Sequence, residues 1–139
     1  MNQYLLDTNV ISELPRRNPN QGAIDFLESL DEIVISAVTV DEIEFGIQRT
    51  EKKQKQMLLK WWNALLSIPP IIIPVDETVA KTAGRLRAKE ESRGRRMTQA
   101  DALIAASALS TGRILVTRNW KDFKNSGVGL LNPFTGERG

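Results

Sequence analysis

The chain has 139 residues, 41% hydrophobic and 26% charged, which are the proportions of an ordinary globular domain. It contains neither cysteine nor histidine, which excludes disulfides, thiolate metal sites, His-ligated zinc and nucleophile systems that need an imidazole base. Hydrolytic chemistry would therefore rest on carboxylates, a hard metal ion or an activated lysine. The net charge of +2 and the isoelectric point near 9.1 permit a polyanionic partner without requiring one.

The chain carries no pattern typical of a membrane or secreted protein. Its first ten residues, MNQYLLDTNV, lack the basic start of a signal peptide and place an aspartate within the apolar run. The most apolar stretch, residues 68–75, is interrupted by three prolines and is too short to span a bilayer. We expect a single cytoplasmic domain over residues 1–139 with no membrane partner.

Short apolar runs alternate along the chain with longer helical patterns. The runs predict strands at 3–6, 32–35, 71–74 and 114–117, with a fifth at 129–131. They do not alternate with polar residues, so we expect them to be buried on both faces. Helical periodicity predicts helices at 39–50, 53–66, 76–93 and 98–110. This order favours an α/β fold of three layers, with a central parallel sheet of four to five strands flanked by helices.

Five polar residues fall where strands end or helices begin. Parallel sheets bind ligands at the carboxyl edge, where the following helices start, so these residues should share that edge. They are Asp7, Glu42, Asp101, Asn119 and Asp122.

Carboxylates gathered at one edge repel one another unless a cation lies among them. Mg²⁺ or Mn²⁺ fits oxygen ligands best, and such an ion can activate a water for attack on a phosphodiester. The sequence therefore predicts a metal-dependent hydrolase site built on Asp7, Glu42 and Asp101, with Asp122 at the same edge.

A purely structural interpretation of the same acids stays open. Thr39 with Glu42, and Thr98 with Asp101, have the spacing of helix capping boxes. Asp7 has a place typical of a residue that forms a turn after a strand.

Two further groups of residues have both a functional and a structural interpretation. Trp61 and Trp62 lie on the apolar stripe of a predicted helix, which favours burial in the core or an interface over base stacking. Basic residues crowd the end of the helix at 76–93 and the loop after it, either as a solvated helix end or as a rim that binds phosphates. The candidate RNA-binding residues are Arg93, Arg95, Arg96 and, after the fourth strand, Arg118.

Five segments resemble, in order, the motifs of PIN-domain proteins. They are LLDTNVIS, VTVDEIEFG, TQADALIAASAL, ILVTRNWKDF and LLNPF. The closest likeness is to VapC toxins of bacterial type II toxin–antitoxin modules, including the FitB-like branch. The resemblance covers nearly the whole chain.

The resemblance implies roles for individual residues. The family's acids fall on Asp7, Glu42 and Asp101, its orienting asparagine on Asn9, and its supporting threonine on Thr117. Many members have a fourth acid two residues after that threonine, where this chain has Asn119. Asp122 is the substitute that other members use, and weaker binding of a second metal ion is then expected.

The resemblance also implies an activity and partners. It implies an endoribonuclease that cleaves RNA with Mg²⁺ or Mn²⁺, forms a homodimer and is neutralised by a cognate antitoxin. The alternative is a degenerate PIN domain that binds RNA or a protein without catalysis. A phospho-acceptor receiver domain fits less well, because Asp7 stands alone after its strand rather than in an acidic pair.

Overall fold

The structure is a computed structural model that describes residues 3–139. That range contains five strands and six α-helices, with two helices after each of the first three strands, as expected of an α/β fold. The strands are β1 (Tyr4–Leu6), β2 (Val34–Ser36), β3 (Ile71–Ile73), β4 (Ile114–Val116) and β5 (Leu130–Leu131). The helices are α1 (Thr8–Ile11), α2 (Gln21–Glu28), α3 (Ala37–Gln48), α4 (Lys52–Leu66), α5 (Glu77–Ser92) and α6 (Gln99–Ser110). A 3₁₀ turn, Trp120–Asp122, lies between β4 and β5.

All the strand pairs between these elements are parallel. β4 lies between β1 and β5 in one ladder, and β2 pairs with β3 in a second ladder. β1 also lies next to β2, so the two ladders continue one another in the order β3-β2-β1-β4-β5. Thr8, two residues after β1, bonds to Thr39 and Glu42 in the helix that follows β2, so the carboxyl ends of both ladders lie at the same edge, as the sequence predicts.

The core lies on both faces of β1 and β4. Leu5, Leu6, Leu115 and Val116 are fully buried. α6 is apolar on most of its surface because it packs against α5 and α3 as well as against β1 and β4. Within the described range, no helix is both long and apolar enough to cross a membrane.

Trp62 occupies the core, which confirms the interpretation of the tryptophan pair as packing residues. Its side chain is fully buried and its indole N–H donates to Glu44, while Trp61 is half-buried beside it. A buried indole needs such an acceptor, and α3 supplies it.

The prediction that every strand is buried on both faces is wrong for β3. Ile71 is 40% exposed and Ile72 is 42% exposed, because β3 lies at the edge of the sheet next to β2 alone. An apolar run without alternation predicted the strand but did not reveal that it forms an edge.

Two short helices and the 3₁₀ turn were not predicted. α1 has four residues and α2 has eight, too few for a helical period to stand out from the sequence. Their start signals are nevertheless present, since Asp7 and Asn20 are the N-caps and each side chain accepts a bond from a first-turn amide.

Candidate active site

Asp7 lies where β1 ends and α1 begins. Its Oδ1 accepts from the Thr8 amide at 2.7 Å, and its Oδ2 accepts from the Thr117 hydroxyl at 2.8 Å and the Asn9 side chain at 3.3 Å. The carboxylate is only 5% exposed. Burial raises the pKa of Asp7 from 3.8 to about 6, against the lowering effect of the bonds from Thr117 and Thr8. The negative charges of Asp101 and Glu42 raise it further.

Asn9, in α1, and Thr117, directly after β4, connect these two segments at this edge. Asn9 donates to the Thr117 hydroxyl at 3.3 Å and accepts from the Arg118 amide at 3.1 Å. Thr117 is fully buried and accepts from the Asn119 amide at 3.0 Å. The two residues therefore hold Asp7 against the start of the loop that leads to Asp122.

Glu42 lies in the second turn of α3 rather than the first. The helix begins at Ala37 and is capped by Ser36, whose hydroxyl accepts from the Val38 amide at 3.0 Å. The interpretation of Glu42 as a helix cap, with Thr39 as its partner, is therefore wrong. Instead, Glu42 accepts from the Thr8 hydroxyl at 2.6 Å, which ties α3 to α1 beside Asp7.

Asp101 lies in the first turn of α6. Thr98 is the N-cap and its hydroxyl accepts from the Asp101 amide at 3.1 Å, so the predicted cap is present at this helix. Burial raises the pKa of Asp101, and the charges of Asp122 and Glu42 raise it further, while the Thr98 hydroxyl opposes them. The carboxylate thus faces other acids in addition to lying near its own cap.

Asp122 belongs to the 3₁₀ turn and its side chain is exposed. Its charge acts on Asp101, and both residues line one cavity, so Asp122 lies beside Asp101. Asn119 contributes its backbone amide to Thr117 and precedes the 3₁₀ turn as its N-cap. Of the two residues considered for the fourth acidic position, Asp122 is therefore the one whose charge reaches the acidic group.

The four acids form one electrostatically coupled group that we call the acidic site: Asp7, Glu42, Asp101 and Asp122. Among residues 3–139, no three acidic side chains converge closely enough to bind one ion as they stand. Glu42 explains part of this, since its bond to Thr8 turns it towards α1. The donors nevertheless suit a hard divalent cation, because all are carboxylate oxygens and a cation would lower the raised pKa values of Asp7 and Asp101.

The predicted RNA-binding arginines have different surroundings. Arg95 forms an ion pair with Glu90 at 2.6 Å, and this bond lowers the pKa of the buried Glu90 carboxyl. Arg96 is exposed and lines a cavity of about 360 Å³ together with Asp101 and Asp122. Arg95 lines the same cavity.

The other two arginines do not line this cavity. Arg93 is the C-cap of α5 and is not among the residues that line this cavity. Arg118 places its guanidinium 5.6 Å from the centre of the Phe134 ring. Arg95 and Arg96 therefore line the cavity that contains Asp101 and Asp122, whereas Arg93 and Arg118 do not.

Two residues at the site were missed by sequence reasoning. Thr8 binds Glu42 across 34 positions of sequence, a contact that depends on packing between helices. Lys121 lines the 360 Å³ cavity with Asp101 and Asp122. Its position next to Asp122 in the sequence was the available signal.

The chain matches a family model described as the PIN domain over residues 4–127. It is 34% identical to the toxin FitB of Neisseria gonorrhoeae, with 94% of this chain and 97% of that protein covered. It is 27% identical to a VapC ribonuclease of Sinorhizobium fredii, with 94% of this chain and 96% of that protein covered.

Solved structures show the same likeness. The crystal structure of FitAcB from Neisseria gonorrhoeae matches with a TM-score of 0.84 and 32% identity, covering 94% of this chain and 98% of the other. A toxin–antitoxin complex from Klebsiella pneumoniae matches with a TM-score of 0.72 and 26% identity, covering 94% and 97%.

Proposed function

The chain belongs to the PIN-domain family, and we propose that it is a metal-dependent endoribonuclease that acts as the toxin of a toxin–antitoxin module. The observation that carries the proposal is the acidic site, in which a buried Asp7 with a pKa of about 6 lies beside Glu42 and Asp101. Relatives of similar length named as a toxin and as a ribonuclease support the same conclusion. We also propose that it acts in the cytoplasm, where its RNA substrates would be found.

Mg²⁺ or Mn²⁺ is the cofactor we propose. Asp7 and Asp101 would hold it most directly, with Glu42 and Asp122 around them, because the first two are the acids whose pKa values burial raises. A divalent ion bound there supplies Lewis acidity towards a phosphodiester and lowers the pKa of water.

The protein's own residues prepare this site. Thr117, Asn9 and the Thr8 amide orient Asp7, and the Thr8 hydroxyl orients Glu42. Thr98 fixes the first turn of α6 and therefore the position of Asp101. Arg96 stands beside the acids, where a substrate phosphate would approach.

The alternative is a PIN domain that binds RNA or a protein without cutting. It is less well supported, because Asp7, Glu42 and Asp101 are all present and electrostatically coupled. Only the replacement of an acid by Asn119 favours it, and Asp122 supplies a charge to the same group.

The decisive experiment is RNA cleavage by the purified protein with Mg²⁺, Mn²⁺ or EDTA. We expect cleavage with either metal. Asp7→Asn should lower the cleavage rate by more than about 100-fold, because the loss of a residue that only orients a metal ligand already costs up to about 100-fold. Asp31→Asn is the matched control, because Asp31 is exposed and precedes β2 at the opposite edge of the sheet. Cleavage that survives both EDTA and Asp7→Asn would overturn the mechanism, and inactivity of the metal-loaded wild type would favour the binding module.

We also propose a cognate antitoxin and a homodimer as the assembly. The similarity to a chain of a toxin–antitoxin complex supports the first. Light scattering of the isolated protein should give twice the mass of 15.6 kDa. A monomer at micromolar concentration would contradict the homodimer.

A further inference from the structure

A second cavity continues the one at the acidic site. The first, of about 360 Å³, contains Asp101, Asp122 and Lys121. The second, of about 740 Å³, reaches Arg87 and Glu91 on α5. The two share Arg95, Arg96, Met97 and Thr98, so together they form one groove, which we call the α5–α6 groove.

The groove contains cations that are available to a ligand. Of the basic residues that line it, only Arg95 is in an ion pair, with Glu90, and this pair holds the loop between α5 and α6. Arg87, Arg96 and Lys121 are exposed and form no ion pair within residues 3–139. Outside the acidic site, Glu91 is the acid without an ion pair that lines the groove, and the charge of Glu137 also acts on Lys121, so the cations exceed the unpaired acids here.

The chemistry of the walls favours a polyanion over a protein segment. Met97 is the one apolar side chain among the residues that line the two cavities, so an apolar helix would find little to bury against. The amino end of α6 also opens on the groove at Thr98, and its dipole favours negative charge. Phosphates spaced along one nucleic-acid strand match cations spaced along a groove.

We propose that a single RNA strand lies along the α5–α6 groove, with one phosphate bound by Lys121 at the acidic end and another by Arg87 at the far end. This rests on the proposed function for the identity of the polyanion. Lys121 then contacts the substrate close to the bond that is cut, and Arg87 contacts it only when the strand is long enough to reach α5.

The test measures binding separately from cleavage. Lys121→Ala and Arg87→Ala are compared with two matched controls, Lys124→Ala and Arg85→Ala, whose exposed side chains line neither cavity. The affinity for fluorescein-labelled poly(U) and for a uridine trinucleotide is measured by anisotropy in EDTA over a range of salt concentrations. Cleavage of a longer RNA with Mg²⁺ is measured in parallel.

We expect Lys121→Ala to weaken the binding of both ligands and Arg87→Ala to weaken poly(U) binding alone, each by about tenfold at low salt. Each should also reduce the slope of log K against log salt by about 0.7, the value for one lost contact on a single strand. In cleavage, both should raise KM more than they lower kcat, because neither residue belongs to the acidic site.

The outcomes separate this proposal from the proposed function. If Lys121→Ala and Arg87→Ala bind and cleave RNA like their controls, the groove is not the RNA path, even if the wild type cleaves RNA. A protein would then be the remaining candidate to occupy the groove. A wild type that cleaves no RNA, but whose binding depends on Lys121 and Arg87 as stated, would overturn the nuclease activity and support the groove.

Discussion

Asp7 combines two properties that oppose each other. Its position is fixed by Thr8, Asn9 and Thr117, yet burial and nearby acids disfavour its ionised form. Capping α1 does not require a buried carboxylate beside other acids, and burial there disfavours its charged form. A bound cation would favour ionised Asp7. Metal binding therefore explains why this carboxylate is kept in an environment that disfavours its charge.

Asp7→Asn is expected to stabilise the metal-free protein above pH 6. The folded protein binds this proton more tightly than the unfolded chain, so the wild type loses stability as the pH rises from 3.8 to about 6. Asparagine does not titrate, so the free energy of unfolding of the variant should exceed that of the wild type by at most about 3 kcal/mol. Urea unfolding in EDTA across this pH range measures it. The difference should vanish below pH 3.8, and a difference that is constant with pH would contradict the argument.

Thr117→Val is expected to weaken metal-dependent activity by about 10- to 100-fold, the range for residues that orient a ligand. Valine keeps the volume but removes the bond to Asp7 and the acceptor for the Asn119 amide. Activity should be measured as a function of metal concentration, with Thr78→Val on the exposed surface of α5 as the control. Unchanged metal dependence would show that Asn9 and the Thr8 amide suffice.

At the scale of elements, α2 packs closely against the chain that follows β5. A Cβ built on Gly22, in the first turn of α2, would lie 2.7 Å from the backbone oxygen of Pro133. Asn132 orders that segment by accepting from the Phe134 amide at 2.9 Å and donating to the Arg118 oxygen at 3.2 Å. Glycine at position 22 therefore allows a helix to contact backbone that also supports the loop after β4.

Gly22→Ala is expected to destabilise the protein by about 1–3 kcal/mol, because backbone must move to admit the methyl group. Gly84→Ala is the matched control, since a Cβ there meets nothing within 4 Å and alanine favours a helix interior. The control should gain about 0.5–1 kcal/mol. Thermal unfolding of both variants gives the comparison, and two shifts of the same sign would contradict it.

The elements that the sequence predicted well are those with long apolar periods. Both ends of three helices lie within one residue of their predicted limits, namely those of α4, α5 and α6. α3 begins two residues earlier than predicted, at Ala37 instead of residue 39, since Ser36 and Thr39 are both good caps and local sequence does not choose between them. The choice changed the role of Glu42, which shows that an error of half a turn at a helix start can alter a functional interpretation.

At the scale of the whole molecule, the edge of the sheet at which the acids lie could be predicted from topology alone. Parallel strands linked by helices bring every strand end to one side, so Asp7, Asp101 and Asp122 could be grouped without knowing which strands are neighbours. The contacts between helices could not be predicted in this way. Thr8 meets Glu42, and Lys121 shares a cavity with Asp101, only because the order of the sheet brings α1 to α3 and the 3₁₀ turn to α6.

Because the acidic site concentrates like charges in the folded state alone, a divalent cation should stabilise the whole protein. Mg²⁺ or Mn²⁺ at 100 times its Kd would add about 2.7 kcal/mol to the free energy of unfolding. For a domain of this size that corresponds to an increase in Tm of roughly 5–10 °C. Asp7→Asn and Asp101→Asn should each lose most of this increase, while Asp31→Asn should keep it, because Asp31 lies at the opposite edge.

The comparison needs no RNA, so it tests the metal site even if the substrate is unknown. An increase in Tm of the same size in all these variants would mean that the cation binds elsewhere, and the acidic site would then lose its assigned cofactor.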